Sequence, residues 1–178
     1  EPRIDVFLAP GKAPPWATPT FSIATASPFS SLEVLDFDGD GFPDLAGSNL
    51  AAGTLVWAIL RDGGKILEEG SLHAGSLPGP IASGRLDGDA AVDIAVPCGG
   101  PSHIAVFLNA GAGRFAGARL IPTVSRPIRA AVVNLDLDGK GDLVVLAPGA
   151  LGVHWGKGGG EFEDPIVVFT GKSPKDIA

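Results

Sequence analysis

The sequence has no methionine and a single cysteine, and each scarcity excludes something. One thiol, Cys98, cannot form an intramolecular disulfide, so no cystine framework holds the fold. It follows the strand-like Ile94-Ala95-Val96 and precedes Gly99-Gly100, a setting that suits a buried, inert thiol. Without methionine, Glu1 is not expected to be a retained initiator; removal of an upstream stretch is expected, a cleaved signal peptide being one reading. No apolar run approaches the ~20 residues of a transmembrane helix, so no membrane span is expected. Nor do helix formers keep up a 3.6-residue period anywhere. Short apolar segments, punctuated by Asp and by the 26 Gly and 16 Pro, argue instead for an all-β protein. At 178 residues and 45% hydrophobic, the chain is long enough for one domain with a real core.

What is abundant is acid in one short stretch. Asp36-Phe37-Asp38-Gly39-Asp40-Gly41-Phe42-Pro43-Asp44 reads D-x-D-x-D-G-x-x-D and packs four carboxylates into a tight loop. Such crowding is unfavourable unless a hard cation sits among the oxygens. The spacing matches the first nine positions of a calcium loop. Side chains at positions 1, 3 and 5 converge, Gly41 at position 6 permits the sharp turn, Phe42 offers its carbonyl, and Asp44 closes at position 9. The plainer alternative is a solvated acidic turn, since Asp and Gly are ordinary turn formers.

The loop recurs. Asn134-Leu135-Asp136-Leu137-Asp138-Gly139-Lys140-Gly141-Asp142 has the same pattern, with Asn as a neutral oxygen ligand at its head. Between the two lies a worn copy, Arg85-Leu86-Asp87-Gly88-Asp89-Ala90-Ala91-Val92-Asp93. The starts at 36, 85 and 134 give a period of 49 residues twice over, the mark of a repeat architecture with one supersecondary unit per repeat. An EF-hand does not fit. Gly47 and Val145 stand where a bidentate Glu belongs at position 12, and the flanks are strand-like. The formal charge of −7 is hostile to nucleic acid only on paper. Ten of the 20 acidic residues sit in these three loops, and bound calcium would neutralise much of that, so no nucleic-acid partner is inferred from it.

Each full unit reads as four strands, with the loop joining the first two. The first unit has Leu32–Leu35, Asp44–Ala46, Leu55–Leu60 and Ile66–Leu72. The second has Ile81–Ser83, Asp93–Val96, His103–Leu108 and Ala118–Val124, and the third Ala130–Val133, Asp142–Leu146, Gly152–Trp155 and Asp164–Thr170. Pro78 and Pro127, each seven residues before a loop, mark where a unit begins. A second signature aligns the third strands: the stretch from Ile104 to Phe115 matches that from Leu151 to Phe162, glycines making a hairpin and a closing Phe packing beneath it. Ile4 to Gly11 fits the same template, with Phe21 to Thr25 as a fourth strand. The expected divisions are a half unit at 1–27, full units at 28–76, 77–125 and 126–172, and the start of another at 173–178.

Asp36 to Leu45, together with the Phe-Leu-Asn-x-Gly-x-Gly-x-Phe run at Phe107 to Phe115, resembles the FG-GAP/VCBS repeats of integrin α-subunit propellers and many bacterial secreted proteins. The resemblance spans nearly the whole chain. It implies that each unit is one four-stranded blade of a β-propeller and that the loops hold structural calcium. By that resemblance Asp36, Asp38, Asp40 and Asp44, with the Phe42 carbonyl, form one ligand set. Asn134, Asp136, Asp138 and Asp142, with the Lys140 carbonyl, form another. A third, weaker site would draw on Asp87, Asp89, Ala91 and Asp93. There Arg85 replaces the first acid and Ala90 the glycine, and Arg85 brings a positive charge that is expected to pair with Asp87 or Asp93 in place of an ion.

The usual catalytic constellations are missing. His73, His103 and His154 fall on different units without metal-ligand spacing, and His154 aligns with Phe107 on an inner strand, so it reads as a packed histidine. Gly158-Gly159-Gly160 is a hairpin turn with no helix behind it to hold phosphate. Trp16, Trp57 and Trp155 suit sugar stacking and blade packing equally. The reading is a non-catalytic, calcium-stabilised scaffold for protein–protein interaction or adhesion, secreted, periplasmic or at the cell surface, where millimolar calcium suits shallow loops. The alternative is a glycan-binding propeller, or the propeller part of a carbohydrate-active enzyme. Fourteen strands make about three and a half blades, whereas closed propellers have about four to eight. The chain is therefore expected to belong to a larger ring of about seven blades, completed by a protein partner or by self-association.

Overall fold

The computed structural model describes residues 3–6, 21–24, 29–61, 65–169, 171 and 174. Every helix or strand among them is a strand, sixteen in all. Strands β1 (Arg3–Val6) and β2 (Phe21–Ala24) form an antiparallel pair. A four-stranded antiparallel meander follows: β3 (Glu33–Leu35), β4 (Asp44–Asn49), β5 (Thr54–Arg61) and β6 (Lys65–His73). A second holds β7 (Ala82–Gly84), β8 (Asp93–Cys98), β9 (His103–Phe107) and β10 (Arg119–Pro122). In the third, β11 (Arg129–Val133), β12 (Asp142–Ala147) and β13 (Ala150–His154) lead into a small hairpin, β14 (Gly156–Gly158) with β15 (Glu161–Phe162). The chain then returns as the outer strand β16 (Ile166–Phe169), paired with β13.

The third unit departs most from the sequence reading. Its third strand starts at Ala150 and not at Gly152, because Pro148-Gly149 turns the chain in two residues and Ala147 pairs directly with Ala150. Gly149 takes φ 81°, which the turn requires and glycine supplies at no steric cost. The hairpin β14–β15 adds two strands to the expected fourteen. Trp16, Phe7 to Gly11, Thr25 and all of 173–178 except Pro174 lie outside the described residues.

The core sits between sheets. In a strand alternate side chains face opposite ways, so a sheet covered on both faces reads as an unbroken apolar run. Strands β4, β8 and β9 are buried along their whole length, and β5 everywhere but its ends. One set of alternating residues, Leu55, Trp57 and Ile59 with Ile94, Val96, Ala105 and Phe107, packs the first meander on the second. The opposite face of the second, Ala95, Ile104 and Val106, packs on Leu143, Val145 and Ala147 of the third. Ile4 of the first strand pair leans on Leu45, Ala58 and Leu60 in the same way. Each of the larger side chains here, the Leu, Ile, Val and Phe, contributes roughly 1.5–3 kcal/mol by leaving water. The outer strands β6, β10 and β16 are largely exposed.

The closing aromatic of the repeat works across this interface. Phe115, from the segment after β9, meets Phe37 of the first loop and Trp57 of β5, edge to face, with ring centroids 5.6 Å apart in both pairs. It therefore bonds one sheet to its neighbour as well as closing its own hairpin. Truncating Phe115 to Ala is expected to cost about 3 kcal/mol, the low end for a phenylalanine because the ring is only partly buried. Phe115→Leu should recover most of it. Urea unfolding of the two variants checks this.

Candidate metal centre

All three loops are built alike before any cation is considered. The carboxylate at position 3 accepts the N–H at position 5, and the one at position 5 accepts the N–H at position 7. These bonds are 3.2 and 2.8 Å for Asp38 and Asp40, 3.0 and 2.8 Å for Asp87 and Asp89, and 3.1 and 2.9 Å for Asp136 and Asp138. Such Asx turns wind the backbone locally, which is why Asp recurs at every second position. Position 6 is left-handed in the first and third loops, at Gly41 (φ 90°) and Gly139 (φ 89°). Ala90 in the middle loop is not among the left-handed residues, so this loop has diverged in backbone as well as in charge.

Position 9 has a different task. Asp44 accepts the Phe37 N–H at 2.8 Å on one oxygen and the Leu60 N–H at 2.7 Å on the other. Asp93 does the same for Leu86 and Asn109, at 2.7 and 2.9 Å. Asp142 repeats it for Leu135 and Gly156, at 2.7 and 2.8 Å. All three carboxylates are buried. Each ties the start of its loop to the end of the third strand (Leu60) or to the residues just beyond it (Asn109, Gly156). Burial pushes the Asp44 and Asp93 carboxyls above their ordinary range, and the neighbouring loop carboxylates add to the rise while the N–H bonds oppose it.

The first loop brings its remaining acids together. Among the described residues, Asp36, Asp38 and Asp40 are the one group of acidic, His or Cys side chains whose ligand atoms all lie within 4.8 Å of one another. Asp44 stands outside this group, its oxygens turned to the backbone. Asp36 also caps the loop, accepting the N–H groups of Gly39, Asp40 and Gly41. In the third loop Asn134 places its Oδ1 where it is buried without a hydrogen-bond partner. An orphaned oxygen at position 1 is what a loop missing its cation would leave, so the donor set fits a hard divalent ion there as in the first loop.

Two protein cations already touch these acids. Arg61, at the end of β5, sets one guanidinium nitrogen 2.6 Å from Asp38 and 2.6 Å from Asp40. Burial alone would raise the Asp38 carboxyl, but Arg61 and the Asp40 N–H outweigh it and hold it below its usual value. Lys140 lies 2.6 Å from Asp138, which it likewise lowers. Arg61 carries no motif letter and escaped the sequence reading. Its signal was register: Leu45 pairs with Ala58 in the same way as Ile94 pairs with Phe107, which puts the end of β5 beside the loop. Arg85, by contrast, makes no ion pair with Asp87 or Asp93. The expected pairing fails because Asp93 spends both oxygens on backbone N–H groups.

The other singled-out residues are internal. Cys98 is buried and its thiol is pushed up to about 11 by that burial, far from a nucleophile's range. His154 is buried; Nδ1–H donates to the Glu163 carbonyl and Nε2 accepts the Thr123 hydroxyl at 2.8 Å. Burial holds it below its ordinary value, a neutral packed ring. His103 donates to the Ala74 carbonyl at 2.8 Å. Trp57 is buried against Phe115. Among the described residues no helix is long and apolar enough to cross a membrane.

Three stacked four-stranded meanders with apolar faces between them define a class, the blades of a β-propeller, and solved structures agree. The chain is similar to an Agrocybe aegerita lectin described as recognising non-reducing terminal N-acetylglucosamine (TM-score 0.57, 22% identity), over 75% of this chain and 36% of that one. It is also similar to BBS1N, solved in complex with ARL6DN (TM-score 0.51, 20% identity, 82% of this chain and 45% of that one). A weaker likeness is to the Photorhabdus luminescens Tc holotoxin pore, at TM-score 0.48 and 17% identity, over 79% of this chain and 7% of that chain. The chain thus spans less than half the length of each. The sequence adds one finding: residues 85–145 match the FG-GAP-like repeat model, the resemblance that the loops and the hairpin run carry. No curated protein matches the chain.

The position-nine carboxylates are expected to act as clasps whether or not metal is present. Asp93→Ala strands two buried N–H donors and should cost about 3 kcal/mol, at roughly 1–3 kcal/mol for each. Asp93→Asn keeps one acceptor and should cost less. The loss should be the same in calcium and in chelator, as measured by chemical unfolding.

Proposed function

We propose that the chain is a non-catalytic propeller scaffold whose first and third loops are stabilised by calcium and whose blades serve protein–protein interaction or adhesion. The observation that carries the calcium reading is the convergence of Asp36, Asp38 and Asp40 within 4.8 Å on a loop pre-wound by Asx turns. Bound there, the ion would supply charge neutralisation and would tie positions 1, 3 and 5 together. Asn134, Asp136 and Asp138 would hold its counterpart, with the Phe42 and Lys140 carbonyls completing the two sets. The middle loop lacks both the first acid and the left-handed position 6, which supports a weak site or none.

A non-catalytic role accords with the packed state of His154, His103 and Cys98. Burial of Trp57 removes one of three candidate sugar-stacking rings, which favours the scaffold over the glycan reading; the likeness to a lectin keeps the latter as the runner-up. The apolar outer strand, with all four of Ile166, Val167, Val168 and Phe169 exposed, supports a protein partner or a second copy along that edge. Loops of this shallow type suit millimolar calcium, which supports a secreted, periplasmic or cell-surface setting.

Thermal melting in calcium and in chelator tests the metal. A saturating ion at about 100 times its Kd should stabilise by roughly 2.7 kcal/mol per site. Asp38→Ala should remove one site's share, and an unchanged midpoint in the wild type would end the reading. The second expectation concerns the partner: light scattering should find the isolated chain self-associated, whereas a cooperatively folding monomer that binds on a glycan array would favour the alternative.

A further inference from the structure

We propose that Arg61 is a built-in competitor for the first loop's cation, held on Asp38 and Asp40 when metal is absent and released when metal binds. The inference rests on the calcium reading above and concerns how that site is regulated.

The geometry makes the two occupants mutually exclusive. A single nitrogen of Arg61 lies 2.6 Å from both Asp38 and Asp40, so the positive charge sits between two of the three converging carboxylates. A divalent ion bound to the same oxygens would face a guanidinium at van der Waals range, and like charges that close repel strongly. The Asp38 side chain is only 4% exposed, whereas that of Arg61 is 38% exposed. The carboxylate is therefore the fixed partner and the arginine the one with a path to water. Arg61 is also the last residue of β5, where its long stem can swing out without disturbing the ladder.

The loops differ in a way that supports this. The first loop, richest in acid, carries the competitor with two contacts. The third carries Lys140 on Asp138 alone. In the middle loop, which has lost its first acid, Arg85 pairs with neither Asp87 nor Asp93. Pairing is thus densest in the first loop, which has four acids where each of the others has three. The two functions of Arg61 oppose each other: it relieves repulsion in the metal-free loop, and it weakens the loop's hold on calcium.

Calcium titration by competition with a chromophoric chelator, alongside melting in chelator, tests the proposal. Arg61→Gln should tighten one calcium site about tenfold, an electrostatic gain of about 1.4 kcal/mol, and should lower the midpoint in chelator. Arg61→Lys, which keeps the charge, should bind calcium nearly as the wild type does. Calcium binding with an unchanged Kd in Arg61→Gln overturns the competitor while leaving the metal site standing. No calcium binding to wild type or variant overturns the metal reading itself, and the competitor with it. Should Arg61→Gln fold poorly, arginine side-chain NMR of the wild type decides: the Arg61 Nη–H protons should become faster-exchanging at saturating calcium, and an unmoved signal overturns the proposal.

Discussion

The structure depends on one buried carboxylate used three times. Asp44, Asp93 and Asp142 each accept two backbone N–H groups, one from the head of the acidic loop and one from the end of the third strand or just after it. A buried carboxylate is costly unless its oxygens are filled, and an unpaired buried N–H is costly too, so each bond removes two penalties at once. The clasp fixes where the loop starts relative to the inner strands. Only then can the Asx turns place the remaining acids on one side. This explains why the middle loop keeps its ninth-position acid while losing the first. Arg85 replaces a ligand; nothing short of another two-oxygen acceptor replaces Asp93.

Much of this was legible in the sequence, for a physical reason. Repetition at a fixed spacing registers even where single segments are ambiguous, and the 49-residue period placed strands, loops and units together. Unbroken apolar runs at Leu55 to Leu60 and Ile104 to Leu108 signalled strands covered on both faces. What stayed hidden depends on neighbours distant in sequence. Asp44 reads as a fourth ligand by pattern, yet its oxygens face Phe37 and Leu60. Arg61 belongs to no motif. Leu137, at position 4 of the third loop, gives no sign that it takes the left-handed φ of 63° that Gly39 and Gly88 take in the other loops. It is 86% exposed, so no packing compensates that strain.

Loop chemistry and blade packing are not separate matters in this chain. Asn109 is buried; its side-chain nitrogen donates to the Phe37 carbonyl in the preceding loop at 2.8 Å, and its own N–H is one of the two held by Asp93. In the next interface the N–H groups of Gly159 and Gly160 donate to Asp87 and Leu86, so the β14–β15 hairpin sits on the middle loop. Phe37 adds an apolar side to the same junction through Phe115. A cation entering the first loop would therefore order the residues on which the next blade rests. On the proposed calcium reading, affinity and inter-blade stability would be coupled through this shared backbone, and by linkage each would strengthen the other. Such coupling would give an internal counter-cation a use: Arg61 would keep the junction assembled without metal, and metal would replace it with a firmer tie.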